Sequence, residues 1–281
     1  MTESSEHGRL SLFRDTADIS ETDARDLAAR LEHRGQAEDE TTVREEYLRL
    51  LGLAPGERVL DLGCGTGVVT RAIAERVAPD GQAIGVDTSP ALLAMAREYA
   101  DAAGTGGLVR FEEGDCRALS YADASFDVVI AATVLAHVPD AERALAEMVR
   151  VTRPGGRLGV FDFDGDSFLV SHPDRELTRR IMASFSDNTA VNGWLARQLP
   201  GLLLGLGLTD VRVRAFLPLE REEGSFHAGL AERAAGVAAQ VSAITSVERD
   251  RWLDELHSEI AAGNFLGGRL HLFAWGTRAP S

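Results

Sequence analysis

The sequence predicts an α/β fold of the doubly wound kind, and three observations carry that expectation. From residue 58 to residue 162, short apolar runs of strand length alternate with amphipathic stretches of helix length. That alternation is the pattern of βαβ units and a parallel sheet. The first run ends in a glycine-rich turn, and open sheets of this class bind ligands at the carboxyl ends of their strands. At 281 residues with 44% hydrophobic content, the chain is long enough for one such core and a small helical addition.

The elements follow in order. Residues 1–20 are polar and read as loose. Between residues 22 and 51, Leu27, Leu31, Val43, Tyr47, Leu48 and Leu51 recur at helix spacing. The strongly polar stretch HRGQAEDETT divides this segment into two helices. Strands are expected at 58–62, 82–86, 109–113, 126–131 and 157–162. Between them lie three helical stripes: Val68, Val69, Ala72, Ile73 and Val77; then Leu92, Leu93, Ala96, Tyr99 and Ala100; then Leu145, Met148 and Val149. Thr88-Ser89-Pro90 offers a hydroxyl cap with proline in the first turn, and Asp140 caps the third helix. Beyond residue 165 the expectation is helices at 174–186 and 193–207, a strand at 210–217, an Ala-rich helical insertion at 225–262 and a closing strand at 269–277.

The formal net charge is −15, with 44 Asp and Glu against 29 Lys and Arg. A phosphate backbone is held by clustered cations, so nucleic acid is not the expected substrate. Cys64 and Cys116 are too few for a disulfide framework and lack metal-ligand spacing. The start, MTESSEHGRL, lacks the basic and apolar regions of a secretory signal. No apolar run reaches the about 18 residues of a membrane span. The expectation is a soluble, cytoplasmic protein without membrane or nucleic-acid partners; a homodimer is left open.

In VLDLGCGTG, Gly63, Gly65 and Gly67 stand at alternate positions. Glycine there lets the backbone take positive φ and approach a ligand closely, and the helix behind it offers unpaired N–H groups. The dinucleotide fingerprint needs a glycine three positions after the second, where this chain has Val68 or Thr70 depending on register. Nor does the loop end in the Gly-Lys-Ser/Thr of a P-loop.

With Asp61 ahead of it, the loop resembles motif I of the class I S-adenosylmethionine (SAM) dependent methyltransferases, and the following landmarks keep that family's order. GVDTSP carries Asp87, where the family places the acid that accepts from both ribose hydroxyls. EEGDCRAL carries Asp115 at the adenine amino group and Cys116 at the ring nitrogen. SFDVVIAATVLAHVPD resembles the fourth-strand motif, and LAEMVRVTRPGGRLGVFDF the helix, turn and fifth strand. The match spans residues 40–170 and is most similar to the ubiquinone/menaquinone-biosynthesis type, whose last strand GNFLGGRLHLFAWGTRA resembles.

The resemblance implies a Rossmann-like seven-stranded sheet with its last strand antiparallel, helices on both faces, and a helical cap over the acceptor site. It divides the chain into an N-terminal helical segment, 1–50, and a SAM-binding domain, 51–281, with helical insertions at about 165–207 and 225–262. It implies SAM as cofactor and S-adenosylhomocysteine as product. The implied cofactor contacts are Asp61, Gly63, Cys64, Gly65, Gly67, Asp87, Thr88, Asp115, Cys116 and Ala132. The alternative for Asp61 is a carboxylate that orients the loop, and for Cys116 a backbone donor with an inert thiol. Arg44 is placed to pair with the methionine carboxylate or to face solvent.

Methyl transfer needs an aligned nucleophile more than acid–base help. His137, past the fourth strand, is the candidate general base, with an ordinary pKa of about 6.5; the alternative is a packing histidine. Asp162 and Asp164 share one face if the fifth strand continues, and with Asp166 they would contact a cationic acceptor or cap a turn. No metal is expected, although His172 lies nearby in sequence. Asn188, Asn192, Trp194 and Arg197 are pocket candidates, and Phe13, Phe185 and Phe265 lid candidates. The expected activity is methylation of O, N or C on a small molecule. The alternatives are a protein methyltransferase, or a SAM-fold cyclase or decarboxylase-like enzyme. A nucleic-acid enzyme of the Asn/Asp-Pro-Pro-aromatic type is disfavoured, because the fourth strand runs into AATVLAHV.

Overall fold

The computed structural model describes residues 20–280, so residues 1–19, including Phe13, lie outside the described residues. Two helices lead: α1 (Glu21–Gln36) and α2 (Glu38–Leu51). Only Ala37 separates them, where the polar composition suggested a longer break. The physical reason is charge at the helix ends. His33 and Arg34 occupy the last turn of α1, and Glu38, Asp39 and Glu40 the first turn of α2. Each set complements the partial charge of its terminus, so polarity there extends the helices.

The core alternates β1 (Arg58–Leu62), α3 (Val68–Val77), β2 (Gln82–Asp87), α4 (Pro90–Ala102), β3 (Val109–Glu113), β4 (Phe126–Ala132), α5 (Ala141–Val151) and β5 (Thr152–Phe163). Next come β6 (Leu169–Val170), α6 (Arg175–Thr189), α7 (Leu195–Gly205), β7 (Leu208–Phe216) and β8 (Leu219–Glu220). The chain ends with α8 (Phe226–Gln240), α9 (Ser246–Ala261), β9 (Gly267–Gly268) and β10 (His271–Arg278). The main sheet has seven strands in the order β3-β2-β1-β4-β5-β10-β7. β1 through β5 pair in parallel, and β10 runs antiparallel to both its neighbours. The order reverses between β1 and β4, which opens a ligand crevice above their carboxyl ends.

Side-chain alternation sorts the strands' residues to two faces. Val59, Val128, Ile130 and Phe161 pack with Tyr47, Leu48 and Leu51 of α2 and with α3 and α4. Leu60, Leu62, Val129 and Val160 pack with α5 and α7. A third cluster forms the cap. There the Ala228, Ala231, Ala235 and Ala238 face of α8 meets Ile181 and Phe185 of α6, Trp252 of α9 and Phe265. Phe185 and Phe265, read as lid residues from sequence, are core of this cap. A small sheet, β6-β9-β8, fastens the cap to the main domain. Its two-residue strands are too short to show any periodicity.

Phe273 of β10 is fully buried, and a Cβ on Gly159 of β5 would lie 2.8 Å from its ring. It also packs on Tyr47 and Trp275. Replacing Phe273 with Ala is expected to lower unfolding free energy by about 3–5 kcal/mol in urea titrations. A loss below about 1 kcal/mol would show that α2 is not seated through this ring.

Candidate active site

The turn after β1 is built by glycines in the left-handed region: φ is +64° at Gly63, +53° at Gly65 and +79° at Gly67. A Cβ at Gly63 would stand 2.5 Å from the Val134 methyls, and one at Gly67 2.6 Å from the Phe111 ring. Both positions are closed to any side chain. The loop is tied down by Cys64 N–H to Val86 O at 3.0 Å and by Gly65 N–H to the Asp87 carboxylate at 2.9 Å. Asp61 lies beneath it, accepting from the Thr70 hydroxyl at 2.6 Å, so it orients the start of α3. Cys64 packs against Gly85, and burial pushes its thiol far up, which leaves it unreactive.

Asp87 ends β2 half-buried. Besides Gly65, it accepts from Ser89 N–H at 3.0 Å. Each carboxylate oxygen has a second lone pair, so capacity remains for a vicinal diol. Ser89, not Thr88, is the α4 cap, and Thr88 is exposed. The Asp115 carboxylate is engaged by Arg117, whose Nε and terminal nitrogen lie 2.7–3.1 Å from it. Cys116 sits in the core with its thiol pushed up to about 11 by burial. Ala132 ends β4 beside Phe161.

Helix α1 crosses the loop. Leu31 is the nearest side chain over Gly65, and Gly35 packs directly on Val68. Glu32 pairs with Arg71 at 2.7 Å, and Arg71 donates to Thr66 O at 2.8 Å. Arg44 donates to Gly35 O at 2.9 Å and to the Thr41 hydroxyl at 3.2 Å. That role at the α1–α2 corner leaves only its Nε without a partner. Glu32 Oε1 and the Thr66 hydroxyl are likewise buried and unpartnered beside the loop.

A 3₁₀ turn, Leu135–His137, follows β4. Asp162 braces it. This fully buried carboxylate accepts from Ala136 N–H and Phe163 N–H, each at 2.9 Å, and burial pushes its pKa up to about 6. Asn192 holds the other side, its side-chain amide donating to Val138 O at 2.6 Å and its backbone N–H donating to Ala136 O at 2.9 Å. The acids expected to meet substrate are thus distributed among structural partners. β5 ends at Phe163, so Asp162 and Asp164 do not share a strand face. Asp164 accepts from Arg197 at 2.7 Å, while Asp166 accepts from Ser186 and from Trp194 Nε1. Trp194 is 54% exposed, with Arg197 stacked on its ring. The Asn188 amide donates to Ser184 O. His172 lies in the cap, stacked on Trp252. Among the described residues no group of three or more His, Cys, Asp or Glu is arranged to hold a metal.

His137 packs against Phe163 at 5.4 Å between ring centroids. Burial and then the charges of Arg269, Arg233 and Arg34 push its pKa down to about 3. Its imidazole is therefore neutral at working pH and a weak base. Arg34, Arg269, His227 and His271 border the same region and did not stand out from sequence. The one available signal was GGRLH, a cation and a histidine interrupting the apolar approach to the last strand.

Asp61 supplies a pH test. Burial pushes its pKa up to about 7, against about 3.9 in an unfolded chain. The native state therefore holds a proton that the unfolded state releases, and this contribution to stability is lost as pH rises through that window. Asp61→Asn should lack that slope in urea unfolding midpoints measured from about pH 4 to pH 7. Parallel wild-type and variant profiles would refute the assignment.

The loop and Asp87 have the features a nucleoside needs, a backbone open to close approach and a carboxylate with acceptor capacity to spare. A methyltransferase-domain family matches residues 59–156. An uncharacterized 37.1 kDa protein in transposon TN4556 of Streptomyces fradiae is 32% identical over 256 residues, covering 91% of this chain and 72% of that one. The ubiquinone/menaquinone biosynthesis C-methyltransferase UbiE of Ectopseudomonas mendocina is 37% identical over 139 residues, 50% of this chain and 52% of the relative. The chain thus spans about half the length of that methyltransferase. The YcgJ protein from Bacillus subtilis shares the fold, with a TM-score of 0.58 at 18% identity over 85% of this chain and 98% of its own. Sequence landmarks, sheet order and cofactor loop converge: the chain belongs to the class I SAM-dependent methyltransferases, and SAM is its cofactor.

Proposed function

We propose that this protein transfers the methyl group of SAM to a small-molecule acceptor. The observation that carries the reading is the cover that the chain's own elements place over the glycine loop and over Phe163. α1 crosses the glycine loop, and the cap of α6, α8 and α9 is fastened to the main sheet through β6, β8 and β9. An enclosed site suits a metabolite, whereas a macromolecule needs an open, charge-matched face. The net charge of −15 points the same way for nucleic acid, and the named relative UbiE is a quinone-biosynthesis enzyme.

The cofactor supplies an electrophilic methyl when bound. Everything else is alignment and water exclusion by this chain. The left-handed glycine loop would approach the nucleoside through backbone, with Asp87 offering acceptor capacity for ribose hydroxyls. Tyr47, Phe161 and Phe163 form an apolar wall where β4 and β5 end, Tyr47 stacking on Phe161 at 4.7 Å. Asp162 and Asn192 hold the 3₁₀ turn that presents His137 to that wall. Holding reactants in line can supply much of the acceleration without a strong base.

Calorimetric titration of the ligand-stripped protein is expected to show binding of SAM and S-adenosylhomocysteine and none of NAD; the reverse would sink the reading. A mass-spectrometric acceptor screen then seeks the gain of one methyl group. Asp87→Ala should weaken SAM binding about ten- to a hundredfold while the far-UV circular dichroism of the folded chain is kept, and unchanged affinity would remove the ribose role. Because His137 is neutral above about pH 3, His137→Gln should leave the acid limb of the kcat/KM profile where it was. A displaced limb would identify His137 as the titrating group.

A further inference from the structure

Several polar groups around Phe163 are used by none of the steps above. Arg269 lies between β9 and β10, 8% exposed, with its guanidinium 3.8 Å from the centroid of the Phe163 ring. Its Nε is buried without a hydrogen-bond partner. Among the described residues no carboxylate forms an ion pair with it. Asp162, which acts on it through space, holds its oxygens to backbone N–H groups.

Two histidines complete the surroundings. His271 is 1% exposed, stacked on Phe161 at 5.1 Å and placed 6.4 Å from Phe163. Its Nδ1 lies 3.0 Å from Arg269 O. A carbonyl oxygen only accepts, so Nδ1 carries the proton and the buried, unpartnered Nε2 presents a lone pair. His227 repeats the arrangement, with Nδ1 on the Glu220 carboxylate at 2.7 Å and Nε2 buried and unpartnered. Arg34 stands over the Phe226 ring at 4.8 Å, paired with Glu40, and its charge is felt at Arg269, His137 and His271.

Arginine stays protonated in proteins, and an interior cation without a counter-charge is strongly unfavourable unless a partner completes it. We propose that Arg269, with Arg34 behind it, binds an ionised oxygen of the methyl acceptor, so that the acceptor is an oxygen acid (a carboxylic acid, phenol or enol) and not an amine. This deepens the methyltransferase reading and rests on it. An ammonium acceptor would add a positive charge beside two arginines and the SAM sulfonium. A phenol or enol gives its proton to the Nε2 lone pair of His227, whose Nδ1 is held by the Glu220 carboxylate, and leaves its anion on Arg269. The oxygen, or its conjugated carbon, then forms the bond to the methyl carbon as the carbon–sulfur bond breaks. The sulfur departs as a neutral thioether and the histidine releases the proton to solvent. For a carboxylate, the anion is the anchor, and the methyl goes to another atom.

The test uses the complex with S-adenosylhomocysteine, whose own binding is measured first. Failure of that binding would overturn the methyltransferase reading, separately from this one. To the complex is added 4-nitrophenol, whose yellow anion reports ionisation. The proposal expects it to bind as the phenolate, its titration midpoint lowered by about one pH unit, or tenfold in proton affinity. Arg269→Gln should abolish the shift with the affinity for S-adenosylhomocysteine kept within about twofold, and Arg269→Lys should restore part of it. Displacement by benzoate but not benzamide extends the site to carboxylates; displacement by neither confines it to phenols and enols. Binding as neutral nitrophenol, no binding, or an unchanged shift in Arg269→Gln overturns the proposal. Should that variant fail to fold, the wild-type midpoint alone decides.

Discussion

The cofactor end of this molecule depends on one hydrogen bond, from Gly65 N–H to the Asp87 carboxylate at 2.9 Å. It joins the loop after β1 to the end of β2, so the two walls of the crevice hold their spacing before any ligand arrives. The loop reaches that position only because Gly63 and Gly67 take left-handed backbone against Val134 and Phe111. Each contact permits the next: the strand register brings Asp87 alongside, Asp87 draws in the loop, and the loop aims the start of α3.

The other end is organised by a second carboxylate. Asp162 is withdrawn from water entirely and holds the 3₁₀ turn after β4 by its backbone. Carboxylates thus brace both ends of the crevice, while the cations gather where β5 and β10 meet the cap. At that meeting point the strongly acidic chain carries a buried arginine, Arg269, with no ion-pair partner among the described residues. Bulk charge and local site charge are of opposite sign, and only the second speaks to what enters.

The central parallel strands were legible because β1, β2 and β4 are buried on both faces and read as nearly continuous apolar runs. The glycine loop was legible because alternate glycines have few other uses. The acidic cluster was not. Phe-Asp-Phe-Asp suggests a shared face, but the strand stops at Phe163, and Asp164 and Asp166 turn to Arg197, Ser186 and Trp194. Where a strand stops depends on pairing with β10, a partner more than a hundred residues away, and local pattern does not contain it. Arg269 was missed for a related reason. Its meaning comes from what surrounds it, Phe163, His271 and Arg34, which reach it from β5, β10 and α1. The break between α1 and α2 was overdrawn because polarity was read as loop, when charge of the right sign at each terminus lengthens a helix.

The first helix has a kinetic consequence. It lies across the loop that would hold the nucleoside, strapped through Glu32, Arg71 and Thr66 and hinged at a corner that Arg44 closes. A nucleoside seated there leaves no faster than that strap lets go. Spent cofactor would then be retained by a latch whose strength is independent of its own contacts. Were that strap the slowest contact to open, the clearing of S-adenosylhomocysteine would pace turnover, and cofactor would enter first and leave last.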